Sequence, residues 1–332
     1  MKKTLPVRMK AVFQDSQGSD LILRDVKVPE PGKGEVLVKM KYSPLNPSDL
    51  SQLRGTLTPL PEYPYIPGIE GSGTVVAAGG GILPEIRAGK NVACSPKGKG
   101  GTWAEYIVTD ASKCIPLGKN IDLQSGSMLI VNPMTALAMI DIAKKGRYKA
   151  LVNNAAASSL GLMMVDLCKS YKIKLINIVR NNNQLSILKE AGAEYIVDAS
   201  DTAFSMNLRK LLEKLDAKLI FDAVGGEQTE IIIKESLYGS RIIMYANLSD
   251  KSFSADSRDI LQYGKTIEGF SLPLWISDKS IIQLLGHTKR VKSFISGLHQ
   301  PLIREKFGIS EISSALLQYR NQMSGGKILL EL

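Results

Sequence analysis

Hydrophobic and polar positions change their rhythm once along the chain. Up to about residue 125, apolar residues come in short β-rich runs such as Glu35-Val36-Leu37-Val38-Lys39-Met40 and Gly73-Thr74-Val75-Val76-Ala77. Turn formers such as Pro29-Glu30-Pro31-Gly32 divide these runs. Twelve of the fifteen prolines precede Gly118, which suits a barrel-like domain joined by many turns. From about Gly146, strand-like runs at 150–153, 174–179, 194–197, 218–221 and 241–245 alternate with helical patterns such as 160–170 and 185–191. That alternation predicts βαβ units and a doubly wound parallel sheet. A helix-like stretch at 309–323 and a strand at 327–332 follow, and no fixed-period repeat or low-complexity tract interrupts the series.

The length of 332 residues is enough for about two domains. Hydrophobic residues at 44% and charged residues at 22% exclude disordered and fibrous classes. No run of about 18 apolar residues occurs, and the basic start runs into no apolar segment, so we expect a cytoplasmic protein without a membrane partner. The formal charge of +10 comes from scattered Lys and Arg with no aromatic interleaving. It therefore predicts a mild preference for anions and no nucleic-acid partner. Three cysteines without a CxxC pair read as free thiols, and two histidines leave metal chemistry short of ligands.

The turn after the first strand of the alternating region reads Asn154-Ala155-Ala156-Ala157-Ser158-Ser159-Leu160-Gly161. Small residues opening a helix let backbone N–H groups and the helix dipole approach a pyrophosphate. Of the usual G-x-G-x-x-G only Gly161 remains, so a small-residue helix start without a ligand stays open. The second strand then ends at Arg180, nineteen residues after Gly161, where an NAD site would carry an acidic residue for the ribose. Arginine suits a 2′-phosphate instead, which points to NADP(H), the alternative being a surface cation at a strand end.

With these residues in view, the chain resembles the medium-chain dehydrogenase/reductase superfamily. Five blocks carry the resemblance: Leu45-Asn46-Pro47-Ser48-Asp49, Pro67-Gly68-Ile69-Glu70-Gly71, Gly101-Thr102-Trp103-Ala104-Glu105-Tyr106, Val131-Asn132-Pro133-Met134-Thr135-Ala136 and Phe221-Asp222-Ala223-Val224-Gly225-Gly226. The resemblance implies an α/β fold, a Rossmann doubly wound parallel sheet plus a GroES-like β-barrel domain. We expect the barrel over 1–125 and 273–332 and the cofactor domain over 126–272. The zinc-dependent branch needs Cys and His where this chain has Asn46 and Ile69, so no metal is expected. The stretch from Pro64 to Gly71 is similar to the quinone oxidoreductases, whereas the stretches around Asn132, Asn154 and Arg180 are similar to the mitochondrial-type 2-enoyl thioester reductases.

Carried onto matching positions, the family's cofactor contacts would be Asn132, Ala157, Ser158, Ser159, Leu160, Gly161, Arg180, Asn181, Asn182, Tyr245, Ala246, Asn247, Leu248, Phe270, Ser271, Leu272 and Lys327. The thioester reductases carry a proton-donating tyrosine where this chain has Leu57, and a leucine cannot donate a proton. Asn46 and Tyr63 are then the catalytic candidates, with Tyr65 nearby and packing against prolines as the other reading of the tyrosines. These features lead us to expect an NADPH-dependent reductase of a quinone or another activated α,β-unsaturated carbonyl, which needs no dedicated acid. An acyl thioester substrate and a non-catalytic NADPH binder are the alternatives. The apolar runs 242–245 and 266–270 suggest a sheet edge that pairs in a homodimer.

Overall fold

The computed structural model describes residues 5–56, 60–299 and 301–332. Leu57 lies outside the described residues. The chain forms two compact units, one built from residues up to Val131 together with those from Arg290 onward, the other spanning Asn132–Lys289. The divides therefore fall later than the 125/126 and 272/273 of the sequence pattern. Further helices follow the last strand of the parallel sheet before the chain returns.

In the first unit the chain runs β1 (Arg8–Gln14), β2 (Leu21–Lys27), β3 (Glu35–Pro44), α1 (Pro47–Arg54), β4 (Gly71–Ala78), α2 (Ile82–Arg87), β5 (Asn91–Cys94), β6 (Tyr106–Asp110), β7 (Cys114–Pro116) and α3 (Leu123–Gly126). The helix α4 (Val131–Lys145) leads into the second unit. There follow β8 (Ala150–Asn153), α5 (Ser159–Ser170), β9 (Lys174–Val179), α6 (Asn182–Glu190), β10 (Tyr195–Asp198), α7 (Phe204–Leu215), β11 (Leu219–Asp222) and α8 (Gly226–Glu235). This unit continues with β12 (Arg241–Met244), α9 (Ser257–Leu261), β13 (Thr266–Gly269), α10 (Leu272–Ser277) and α11 (Ile281–Ser293). The return to the first unit adds β14 (Ile303–Gly308), α12 (Ile312–Asn321) and β15 (Lys327–Glu331).

The large sheet of the first unit has the order β14-β15-β3-β4-β5-β7, with β6 also pairing β3. Strand β3 is its centre, because Val36, Leu37 and Val38 are all buried and the strand pairs β4, β6 and β15. Where β4 crosses β3 only glycine fits: a Cβ on Gly73 would lie 2.1 Å from the Lys39 carbonyl oxygen. The helix α1 interrupts this strand-rich region. It starts because Asp49 accepts from the Asn46 N–H at 2.8 Å and Pro47 occupies its first turn.

In the second unit all six strands are parallel, in the order β10-β9-β8-β11-β12-β13. Numbered within the unit this is 3-2-1-4-5-6, the order of a dinucleotide-binding doubly wound sheet. Near-continuous apolar strands bury both faces, as the fully buried β8 and β11 show. The helix α7 lays Phe204, Leu208 and Leu212 against this core at four-residue spacing. No helix among the described residues is long and apolar enough to cross a membrane.

Candidate functional site

Strand order reverses between β8 and β11, and ligands of such sheets bind beyond the carboxyl ends of the strands at that point. The turn 154–158 follows β8 there. Asn154 ties it down from beneath: its amide donates to Asp222 Oδ1 at 2.9 Å and to Gln228 at 3.1 Å, and its oxygen accepts from the Ala223 N–H at 2.6 Å. Asp222 also accepts from the N–H groups of Val224 and Gly225 and from the Thr229 hydroxyl. Every one of these side chains except Gln228 is fully buried, so the floor of the turn is rigid and its polar groups are satisfied.

Above that floor the backbone does what glycines ordinarily do. Ala155 adopts φ 49°, a left-handed conformation that costs a side-chain-bearing residue roughly 1 kcal/mol. Gly161 permits close packing, since a Cβ there would meet the Ala156 carbonyl oxygen at 2.1 Å. The Ser158 hydroxyl caps α5 by accepting from the Gly161 N–H at 3.1 Å. This leaves the N–H groups of Ser159 and Leu160 without intrahelical acceptors at the positive end of a twelve-residue helix.

Arg180 stands at the end of β9, exposed. Its backbone N–H is held by Gln184 Oε1 at 3.1 Å, and Asn181 caps α6 by accepting from the Gln184 N–H at 2.9 Å. The Asn181 side chain is therefore engaged in the cap, whereas the guanidinium next to it has no hydrogen bond or ion pair among the described residues. Asn182 opens α6. Beyond β12, the segment Tyr245–Leu248 runs beside 222–224, with the N–H groups of Tyr245 and Leu248 donating to the carbonyls of Asp222 and Ala223. The Tyr245 hydroxyl donates to Asn153 at 3.3 Å, Ala246 is half-buried, and Asn247 and Leu248 are exposed. Phe270, Ser271 and Leu272 follow β13, with Ser271 at the start of α10, and Asn132 lies half-buried in the first turn of α4. Ala157 and Leu160 are buried in the turn itself. The second unit thus brings the expected residues to the carboxyl side of its sheet, apart from Asn132, which precedes β8.

Lys327 opens β15. It is in the first unit, only 4% exposed, and its ammonium donates to the Leu45 carbonyl at 3.2 Å and to Asn46 Oδ1. The Asn46 amide passes the contact on to Glu70 Oε1 at 3.1 Å, and Glu70 Oε2 accepts from the N–H groups of Ile130 and Val131 at 3.1 and 2.9 Å. Asp49 completes a wholly buried set of two carboxylates, one amide and one ammonium. Burial pushes the Asp49 carboxyl up to about 7, despite the hydrogen bond from Asn46 and the attraction of Lys327. Burial likewise raises Glu70 and lowers Lys327. Neither Asp49 nor Glu70 is singled out by sequence reasoning. The Asn-x-x-Asp spacing of a capping box was the available signal for the first.

Tyr63 is less suited to chemistry than its position suggests. Its hydroxyl is buried with no hydrogen-bond partner among the described residues, and its ring packs edge-on against Tyr65 with centroids 5.4 Å apart.

Comparison with known proteins agrees with this geometry. Residues 32–119 match the alcohol dehydrogenase GroES-like domain family, and 159–286 match the zinc-binding dehydrogenase family. The mitochondrial enoyl-[acyl-carrier-protein] reductase of Caenorhabditis elegans is 30% identical over 288 residues, 83% of this chain and 81% of that protein. The chain belongs to the medium-chain dehydrogenase/reductase superfamily, in its zinc-independent branch. Its Arabidopsis thaliana relative of the same description is 29% identical over 277 residues, 81% of this chain and 73% of that protein. A Mesorhizobium loti protein assigned as an NADPH:quinone reductase superposes with a TM-score of 0.90 at 28% identity, covering 99% of this chain and 100% of its own. As a medium-chain dehydrogenase/reductase the protein departs from the zinc branch in charge as well as ligands: the Asn46 oxygen takes an ammonium, and Ile69 offers no donor.

Since the folded-state value of Asp49 lies above its unfolded one, only the folded state holds this proton between about pH 4 and about pH 7. Stability from this group therefore falls as pH rises through that window. Asp49→Asn keeps an oxygen for the Asn46 N–H and removes the titration. Urea unfolding at pH 5 and pH 8 should show the stability difference between the two conditions shrinking by about 2 kcal/mol in the variant. An unchanged difference would contradict the assignment.

Proposed function

We propose that the protein is an NADPH-dependent reductase of a quinone or another activated α,β-unsaturated carbonyl. The observation carrying this reading is Arg180, an exposed cation at the end of the second strand, with no carboxylate in the sequence from there until Glu190. The free N–H groups of Ser159 and Leu160 would hold the pyrophosphate. Arg180 and the first N–H groups of α6 would hold the 2′-phosphate. Tyr245, Ala246, Asn247, Leu248, Phe270, Ser271, Leu272 and Asn132 would line the remainder. When bound, the nicotinamide supplies the hydride. Lys327 acts as the counter-ion of Glu70 and Asp49 rather than as a phosphate ligand, and Asn46 keeps that network closed. With Leu57 in place of a tyrosine and the Tyr63 hydroxyl buried, the substrate is one whose reduced form takes its proton from solvent, as a quinone does.

A second reading, reduction of 2-enoyl thioesters, is favoured by curated relatives described as enoyl-[acyl-carrier-protein] reductases. Following NADPH consumption with a quinone panel and with trans-2-enoyl thioesters separates the two. We expect the higher kcat/KM with quinones. Faster thioester turnover assigns the second reading, and binding of NADPH without turnover of either leaves a nucleotide-binding protein.

Cofactor choice has its own test. A charge-assisted hydrogen bond from Arg180 should favour NADPH over NADH by about ten- to hundred-fold. Arg180→Ala should remove most of that preference and leave NADH affinity nearly unchanged in isothermal titration. Loss of both cofactors to the same degree would make Arg180 a structural residue.

Strand β13 ends the parallel sheet, with Thr266 and Gly269 exposed. Its unpaired backbone edge supports a homodimer formed by β13 of two copies. Light scattering at micromolar concentration should report twice the mass of the chain, and a monomer would refute the pairing.

A further inference from the structure

Two of the three cysteines face each other across the end of a sheet. Cys94 of β5 and Cys114 of β7 are register partners in an antiparallel pair, and both thiols are buried and free. The kind of pair follows from the hydrogen bonds. The Leu117 N–H donates to the Asn91 carbonyl at 3.0 Å, so these two residues form a hydrogen-bonded pair. Alternation along the ladder then makes Val92/Pro116 and Cys94/Cys114 non-hydrogen-bonded pairs. Pro116 agrees, having no N–H to give. The carbonyls that turn away from β5 agree as well: that of Cys114 accepts from Arg87 Nε at 3.1 Å, and that of Pro116 from Lys292 Nζ at 2.8 Å.

Residues opposed in this way have Cα atoms about 4.5 Å apart and side chains on one face, inside the span of about 4.4–6.8 Å that disulfides bridge. Both cysteines indeed enter one core, where the Cys94 thiol lies 3.8 Å from the Met40 sulfur. Strand β7 has three residues and ends the sheet, its outer side covered by Arg87 and Lys292 instead of another strand.

We propose that Cys94 and Cys114 are a redox pair that closes into a cross-strand disulfide and staples β7 to β5. The partner oxidant is a low-molecular-weight disulfide of the glutathione class. Burial pushes the Cys114 thiol up to about 12 and Cys94 well above its usual value, so the closed sheet shields both. Reaction starts when the short edge strand frays. Cys114, beside the Arg87 guanidinium, loses its proton and attacks one sulfur of the oxidant, releasing one thiol and leaving a mixed disulfide. Cys94 loses its proton, attacks the Cys114 sulfur and displaces the second thiol. Two protein S–H bonds become one S–S bond, and the oxidant's S–S bond becomes two S–H bonds. The staple fixes the start of the segment that runs through α3 to the Ile130 and Val131 amides on Glu70.

The test uses the full chain incubated with excess glutathione disulfide, quenched in acid, unfolded, alkylated and mapped by mass spectrometry. We expect alkylation at Cys168 alone, a linked peptide pair containing Cys94 and Cys114, and full reversal by dithiothreitol. The oxidised form should melt about 5 °C higher than the reduced one. Cys168→Ala should form the same bridge, and Cys94→Ala should stop at a mixed disulfide on Cys114. Three alkylated thiols in the wild type, a persistent wild-type glutathione adduct, a bridge to Cys168 or an unchanged melting temperature would each overturn the proposal.

Discussion

One buried ammonium holds the first unit to its chemistry. Lys327 is taken out of water between the Leu45 carbonyl and the Asn46 amide, and a charge so placed is tolerated only with opposite charge nearby. Glu70 supplies it first, and Asp49 adds to it once its carboxyl ionises above about pH 7. Asn46 can be neither a thiol nor an apolar residue, because its amide must accept from the ammonium and donate to the carboxylate in one orientation. At this position an amide that serves the lysine and a thiolate that would serve a metal exclude each other.

The second unit rests on a different arrangement of the same principle. Asn154 and Asp222 have no cation paired with them among the described residues, yet five N–H or O–H donors converge on them or pass between them. Their work is to hold the ends of β8 and β11 at the strand-order reversal, so that the small-residue turn keeps its shape without the usual glycines. Ala155 in a left-handed conformation is the cost of that economy, and the satisfied network beneath offsets it.

Much of this was legible along the chain. The alternation after Gly146 corresponds to the parallel strands, and the turn ending in Gly161 and the cation at Arg180 lie at the carboxyl ends of neighbouring strands. Such features are local, set by backbone sterics within a few residues. The buried network was not legible, because Asn46, Glu70 and Lys327 come from three distant stretches and meet through β4 and β15 both pairing with β3. The helix α1 was hidden by the strand-rich residues around it, although its capping pair lies in plain sight. Tyr63 shows what residue type alone does not carry: the sequence offers a proton donor or a packing ring, and only the fold shows the ring edge-on against Tyr65 and the hydroxyl buried.

The split construction of the first unit has a consequence for how the chain is made. Strand β3 leaves the ribosome early, yet one of its partners, β15, is synthesised only after the whole parallel sheet. Every strand of the parallel sheet lies between them and has its neighbours complete by Gly269. The nucleotide-binding unit can therefore finish folding on the nascent chain while the apolar edge of β3 still waits for its partner. Quality control in the cell would meet this protein as a half-built barrel attached to a finished sheet.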